Sequence, residues 1–145
     1  MSDHANCELP DSNPPTEEIT RLLSESKVIA IVGLSDKPDR SSNQVARYLK
    51  ANGYQIIPVN PIKDEILGEK CYPSLAAIPE PVDIVDIFRK IDAVPAIVEE
   101  AIKISAKAVW LQLGLAHHRS AEKARQAGLI MVQSKCIEIE HKRLQ

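Results

Sequence analysis

The sequence predicts a doubly wound α/β fold: a Rossmann-like, mostly parallel sheet of five or six strands with helices on both faces. Five short runs, Val28–Val32, Gln55–Val59, Val82–Ile87, Ala106–Leu111 and Leu129–Val132, are rich in β-branched residues and apolar almost throughout. That is the pattern of strands buried on both faces. Amphipathic segments separate them, and strands joined by helices imply right-handed crossovers that align the strands' carboxyl ends along one edge. Ligands of such folds bind at that edge, where the strand order reverses.

Met1 to Pro15 is polar, contains three prolines and has no periodicity, so it reads as a flexible tail preceding one domain over residues 16–145. Thr16 is placed to cap a first helix, with Glu17 and Glu18 at the positive end of its dipole and Ile19, Leu22 and Leu23 at helical spacing. Beyond the first strand, Asn43–Asn52 reads as a helix, with Ser41 and Gln44 at capping-box spacing and Gly53 where it stops. Glu69–Tyr72 is a weaker, sixth strand. Ser74–Ile78 forms a short turn, Asp92–Ser105 a helix with Pro95 in its first turn, and Arg119–Ala127 a helix ended by Gly128.

The formal net charge is -2, with both signs interspersed, so no basic field draws the protein onto nucleic acid and any anion site is local. No apolar run approaches the ~20 residues needed to span a membrane, and the N-terminus carries no signal or transit pattern. Cys7, Cys71 and Cys136 are odd in number and not at zinc-ligand spacing, which fits reduced thiols in a cytoplasmic protein.

The loop after the first strand, Gly33 to Ser42, holds the clearest chemistry. Gly33 permits a tight turn, and Leu34 follows it. The start of the next helix offers unpaired amides and a partial positive charge to an anion. Ser35, Ser41 and Ser42 add hydroxyls and Arg40 a bidentate guanidinium, a set suited to pyrophosphate. Each residue alone reads equally as a cap or a solvated charge; their joint place after the first strand of a βαβ unit favours phosphate.

The second strand ends in Asn60-Pro61, where nicotinamide-dependent enzymes usually place an acid for the ribose hydroxyls. A neutral Asn near Lys63 does not repel a phosphorylated ribose, although Asn-Pro is also an ordinary turn. At the third strand end, Phe88 and Arg89 could pack on an adenine or pantetheine and contact a phosphate, or be a buried aromatic beside an exposed cation. Alternation puts Trp110 and Gln112 on one side of the fourth strand, with Trp110 read as core and Gln112 and Gly114 as ligand-side candidates.

The ordered series VGLSDKPDRSSNQVARYL, IIPVNP, LGEKCYPSL, PVDIVDIFRK and AVWLQLG, with the late Cys136, resembles the small stand-alone CoA-binding proteins of bacteria and archaea. These are similar in turn to the CoA-binding domain of the succinyl-CoA synthetase α subunit. The resemblance covers Ser24 to Leu144. It implies a Rossmann-like domain that binds coenzyme A or acyl-CoA, with the diphosphate on the first loop and the adenine near the second and third strand ends. Carried over, the matching positions are Gly33, Ser35, Arg40, Ser42, Asn60, Pro61, Phe88 and Arg89. The chain departs from the family at QSKCIEIEHKRL, which lacks an acid before the cysteine and a proline after it.

No catalytic constellation is evident. His4, His117, His118 and His141 have no obvious partners, the His117-His118 pair reading as a solvated loop, and no metal-ligand pattern occurs. Asp83 lies at the start of its strand, leaving Asp86 alone able to face the ligand edge. Cys136 reads as a small buried hydrophobe or as a thiol able to form a mixed disulfide with CoA. The expected function is therefore non-catalytic binding of CoA, possible partners being a second copy or a separate enzyme. A small NAD(P)- or acyl-CoA-dependent enzyme and an interaction subunit with a vestigial pocket are the alternatives.

Overall fold

The computed structural model describes residues 13–144. The reading of a flexible tail over Met1–Pro15 therefore falls largely outside the described residues, as do His4 and Cys7. Asn13 is fastened to the body of the protein. Its side-chain amide donates to the Gln133 carbonyl at 2.8 Å and its side-chain oxygen accepts from the Gln133 N–H at 2.7 Å.

The order of elements is α1 (Thr16–Glu25), β1 (Val28–Val32), α2 (Ser41–Ala51), β2 (Gln55–Val59), a hairpin of β3 (Glu65–Ile66) and β4 (Glu69–Lys70), β5 (Ile84–Ile87), α3 (Val94–Lys103), β6 (Ala108–Leu111), α4 (His118–Gln126), β7 (Ile130–Val132) and α5 (Ile137–Lys142). One five-stranded sheet runs in the order β2-β1-β5-β6-β7, and every pairing in it is parallel. The chain leaves β1 towards one edge, returns past it to β5, and then continues to the other edge. The order thus reverses between β1 and β5, and the crevice of a doubly wound sheet opens above their carboxyl ends.

Strand alternation divides the core into two layers. Ala30, Val32, Val85, Ile87, Val109 and Leu111 pack towards Val94 and Val98 of α3 and Ala121 and Ala124 of α4. Ile29, Ile31, Ile84, Ala108 and Trp110 pack towards Leu22 and Leu23 of α1, Val45 and Leu49 of α2, and Ile137 of α5. Both faces are covered, as the apolar strands require. Trp110 is fully buried, and its indole N–H donates to the Lys135 carbonyl at 2.7 Å, satisfying the one polar group it brings inside.

Several local expectations are corrected. Pro15, not Thr16, is the N-cap of α1, its carbonyl accepting from Glu18 and Ile19. Ser41 lies inside α2 rather than capping it; Arg40 is the N-cap and makes no side-chain cap bond, while Gln44 reaches back to the Asp39 carbonyl. Glu69–Tyr72 is not a sixth strand of the main sheet: Glu69 and Lys70 pair antiparallel with Glu65 and Ile66, and Tyr72 alone bridges to Val59. β5, β6 and β7 begin at Ile84, Ala108 and Ile130. The apolar residues just before them are buried without being strand, so hydrophobicity overstates strand length. The turn near Ser74 is a 3-10 turn over Leu75–Ala77, and another at Ile91–Ala93 precedes α3, whose first turn holds Pro95 as expected.

The histidines also differ from expectation. His117 is the N-cap of α4, its Nδ1 accepting from the Ser120 N–H at 3.1 Å, and His118 opens the helix instead of lying in a solvated loop. Buried His141, on α5, does have a partner: its Nδ1 lies 2.7 Å from the Tyr48 hydroxyl. Its ring also meets those of Tyr48 and Tyr54 edge-on, tying α5 to α2. Tyr48→Phe removes that hydroxyl and leaves a buried ring nitrogen unpaired, so it is expected to destabilise the protein by about 1–2 kcal/mol in urea denaturation.

Candidate functional site

The carboxyl ends of β1, β5 and β6 and the start of α2 enclose an open cleft of about 670 Å³. Gly33, Ser35, Arg40 and Ser42 of the first loop line it together with Phe88, Arg89 and Lys90 after β5 and with Gln112, Leu113, Leu115, Cys136 and Ile139. Arg40, Arg89 and Lys90 bring three cations to this lining, which includes no carboxylate among the described residues. A protein of net charge -2 therefore gathers positive charge at its switch point.

Gly33 fixes how closely the loops approach. Its φ is +87°, and a Cβ built on it would lie 2.3 Å from the Phe88 carbonyl oxygen and 2.8 Å from Arg89 Cδ. Its N–H donates to the Val59 carbonyl at 3.1 Å, while the Phe88 N–H donates to the Val32 carbonyl at 2.9 Å. The first loop is thus held at the ends of both neighbouring strands, β2 and β5.

The loop itself is tied down internally. Ser42 Oγ accepts from the Ser35 N–H at 3.0 Å, Ser35 Oγ accepts from the Lys37 N–H at 3.1 Å, and the Asn43 side-chain amide donates to the Ser35 carbonyl at 2.9 Å. Arg47 braces the far side through Asn43 Oδ1 and the Pro38 carbonyl, both at 2.8 Å. Asn43 and Arg47 carried no signal as isolated residues in the sequence; they act on the loop because α2 stacks them one turn apart. Ser41 and Ser42, the first residues of α2, both line the cleft, and their N–H groups lie in the first turn, before the helical acceptors begin.

The other candidates divide by role. Leu34 is fully buried in the core beneath the loop, so its side chain packs rather than faces the cleft. Asn60 donates through Nδ2 to the Leu34 carbonyl at 3.0 Å and accepts through Oδ1 from Ile62 N–H at 2.9 Å. It joins the first loop to the second. Pro61 lines a separate cavity of about 140 Å³ with Val59, Pro73, Leu75, Ile97 and Glu100, and Arg89 borders both spaces. Lys63 is engaged with Asp36 at 3.0 Å, a contact that holds the Asp36 carboxyl below its ordinary range. Phe88 both lines the cleft and packs against the core, so its two readings describe one position.

Beneath Gln112 lies a feature that composition could not show. Asp86 is fully buried, and Gln112 Nε2 donates to its Oδ1 at 2.5 Å; its Oδ2 has no partner. Burial is the larger influence and pushes this carboxyl up to about 7, against the opposing effect of the Gln112 bond. Asp83, as expected of a residue before its strand, serves the backbone: Oδ2 accepts from Lys27 and Val28 N–H at 2.8 and 3.0 Å. Half-buried Cys136 lines the cleft beside α5, the helix that no sequence pattern announced.

A doubly wound parallel sheet with a loop-walled cleft at its switch point defines a Rossmann-like α/β binding domain. Among such domains, the chain belongs to the family of CoA-binding domains, whose model matches residues 27–142. YneT of Bacillus subtilis is 41% identical over 129 residues, covering 89% of this chain and 96% of that one. The acetate-CoA ligase (ADP-forming) I of Archaeoglobus fulgidus is 32% identical over 121 residues, of which the chain spans only 18%. A solved structure of a protein from Pyrococcus horikoshii OT3 superposes with a TM-score of 0.89 at 42% identity, covering 99% of both chains. Among the described residues, no helix is long and apolar enough to cross a membrane.

Proposed function

We propose that this chain binds coenzyme A or an acyl-CoA, with the diphosphate on the Gly33–Ser42 loop, and catalyses no reaction of its own. The observation that carries this reading is the convergence of Arg40, Arg89, Lys90, the Ser35, Ser41 and Ser42 side chains and the start of α2 on one cleft. Guanidinium groups, hydroxyls and helix-start amides are the donors a diphosphate needs. Phe88 offers a ring, and Leu113, Leu115 and Ile139 an apolar wall, for the non-phosphate parts of the ligand. Among the described residues, the lining contributes no imidazole or carboxylate to serve as a base for its hydroxyls or for Cys136.

Calorimetric titration with CoA, acetyl-CoA, NAD, NADP and ATP tests the reading. CoA or acetyl-CoA is expected to bind most tightly; a preference for NAD or NADP would overturn it, and binding of none would favour an interaction subunit. Arg40 is exposed, so Arg40→Ala is expected to weaken CoA binding about tenfold or more through loss of a charge-assisted bond while leaving the melting temperature almost unchanged.

A further inference from the structure

The orientation of one buried amide sets what the cleft offers a ligand. Gln112 is 8% exposed and lines the same cleft as Arg40, Arg89, Leu113 and Ile139. A glutamine amide has a donor end and an acceptor end, and above about pH 7, where the Asp86 carboxyl is ionised, that carboxylate only accepts. Nε2 is committed to Asp86 Oδ1 at 2.5 Å. Among the described residues Oε1 has no hydrogen-bond partner, and it is left for the cleft that Gln112 lines. We propose that Gln112 is a specificity-determining contact whose Oε1 accepts a hydrogen bond from an amide N–H on the ligand, with Asp86 as the positioning residue that keeps that oxygen outward.

Resting on the CoA reading above, the inference concerns the amide-bearing arm that distinguishes CoA from a bare nucleotide. The diphosphate donors belong to the first loop and Gln112 to the end of β6, so the two parts of the ligand are read by different residues. Phosphate alone gains nothing from an outward carbonyl oxygen. An arm carrying secondary amides does, and burying such an N–H without an acceptor costs free energy.

The test compares CoA with 3′-phospho-ADP, which retains the phosphates and lacks the arm, by calorimetry on the full chain. In Gln112→Leu the ratio of the two affinities is expected to fall roughly tenfold, with 3′-phospho-ADP affected less than twofold. Asp86→Leu keeps the branched shape but removes the acceptor that holds Nε2, so the ratio falls as well, and the double variant loses no more than either single one. Asp86→Asn retains an acceptor oxygen and is expected to keep the ratio within about threefold. Melting curves confirm that each variant is folded, and Gln112→Leu decides the matter if Asp86→Leu is not.

Equal weakening of both ligands in Gln112→Leu, or no weakening of either, overturns the inference while leaving CoA binding intact. A wild-type protein that binds 3′-phospho-ADP as tightly as CoA also overturns it. Binding of neither ligand by the wild type overturns the CoA reading itself, and the inference with it.

Discussion

Gly33→Ala is expected to destabilise the protein by about 2–6 kcal/mol and to lower CoA affinity by at least about tenfold. Two costs combine. At φ +87° an L-residue is strained, a penalty of about 1–3 kcal/mol. The added methyl would also stand 2.3 Å from the Phe88 carbonyl oxygen. That atom is backbone and cannot rotate away, so the end of β1 must separate from the end of β5, at a cost of about 1–3 kcal/mol if it behaves like core overpacking. Displacement moves Ser35 relative to Arg89, both of which line the cleft, which is why binding falls together with stability.

Gly128→Ala supplies the control. Gly128 also has positive φ, at +91°, but a Cβ there would meet nothing within 4 Å. It isolates the conformational cost, and its loss is expected to be smaller than that of Gly33→Ala by about 1 kcal/mol or more, with CoA affinity unchanged. Urea denaturation of both variants, with calorimetry on each, makes the comparison. Equal destabilisation by the two substitutions would show that the approach of Phe88 carries no energetic weight.

The same pair of glycines shows what sequence could and could not reveal. That Gly33 ends a strand and Gly128 follows a helix was legible, because glycine after a periodic segment marks a turn. That only one of them is pressed against another chain segment was not, since the contact joins residues 55 positions apart, Gly33 and Phe88. The main-sheet strands were legible for a related reason: both faces are covered, so Ile29 and Ala30 are equally buried and the run is apolar without interruption. Hairpin β3–β4 was misread because its four residues, Glu65, Ile66, Glu69 and Lys70, are mostly charged and pair only with each other. Helix α5 escaped because it is six residues long and packs through Ile137 and His141, too short a span for a period of 3.6 to declare itself.

Within the site, the place of cationic and hydroxyl-bearing residues in the cleft lining was legible from their types and their position after a strand, as for Arg40, Ser42 and Arg89. The place of residues that act by holding others was not. Asn60 was considered for its effect on a ribose, yet in the fold its side chain bonds the Leu34 carbonyl, 26 positions away. Its role is set by tertiary contact, which a single sequence does not encode locally.

Asp86→Asn is expected to stabilise the protein at pH 8 by up to roughly 4 kcal/mol and to leave it nearly unchanged near pH 4. The carboxyl is fully buried and raised from its ordinary 3.8 to about 7, chiefly by desolvation. At about 1.36 kcal/mol for each tenfold change in proton affinity, that displacement is worth roughly 4 kcal/mol. The sign follows from proton counting: between pH 3.8 and 7 the unfolded chain has lost this proton and the native protein still holds it. Stability therefore falls as pH rises through that window and levels off above it. Asparagine does not titrate, so the difference between variant and wild type isolates this one carboxyl from every exposed acid. Urea denaturation at pH 4, 6 and 8 measures it, and parallel profiles for the two proteins would mean that Asp86 is not the buried acid described here. A group that weakens the fold at neutral pH, directly beneath the only glutamine lining the cleft among the described residues, is better explained by what it holds in place than by what it contributes to stability.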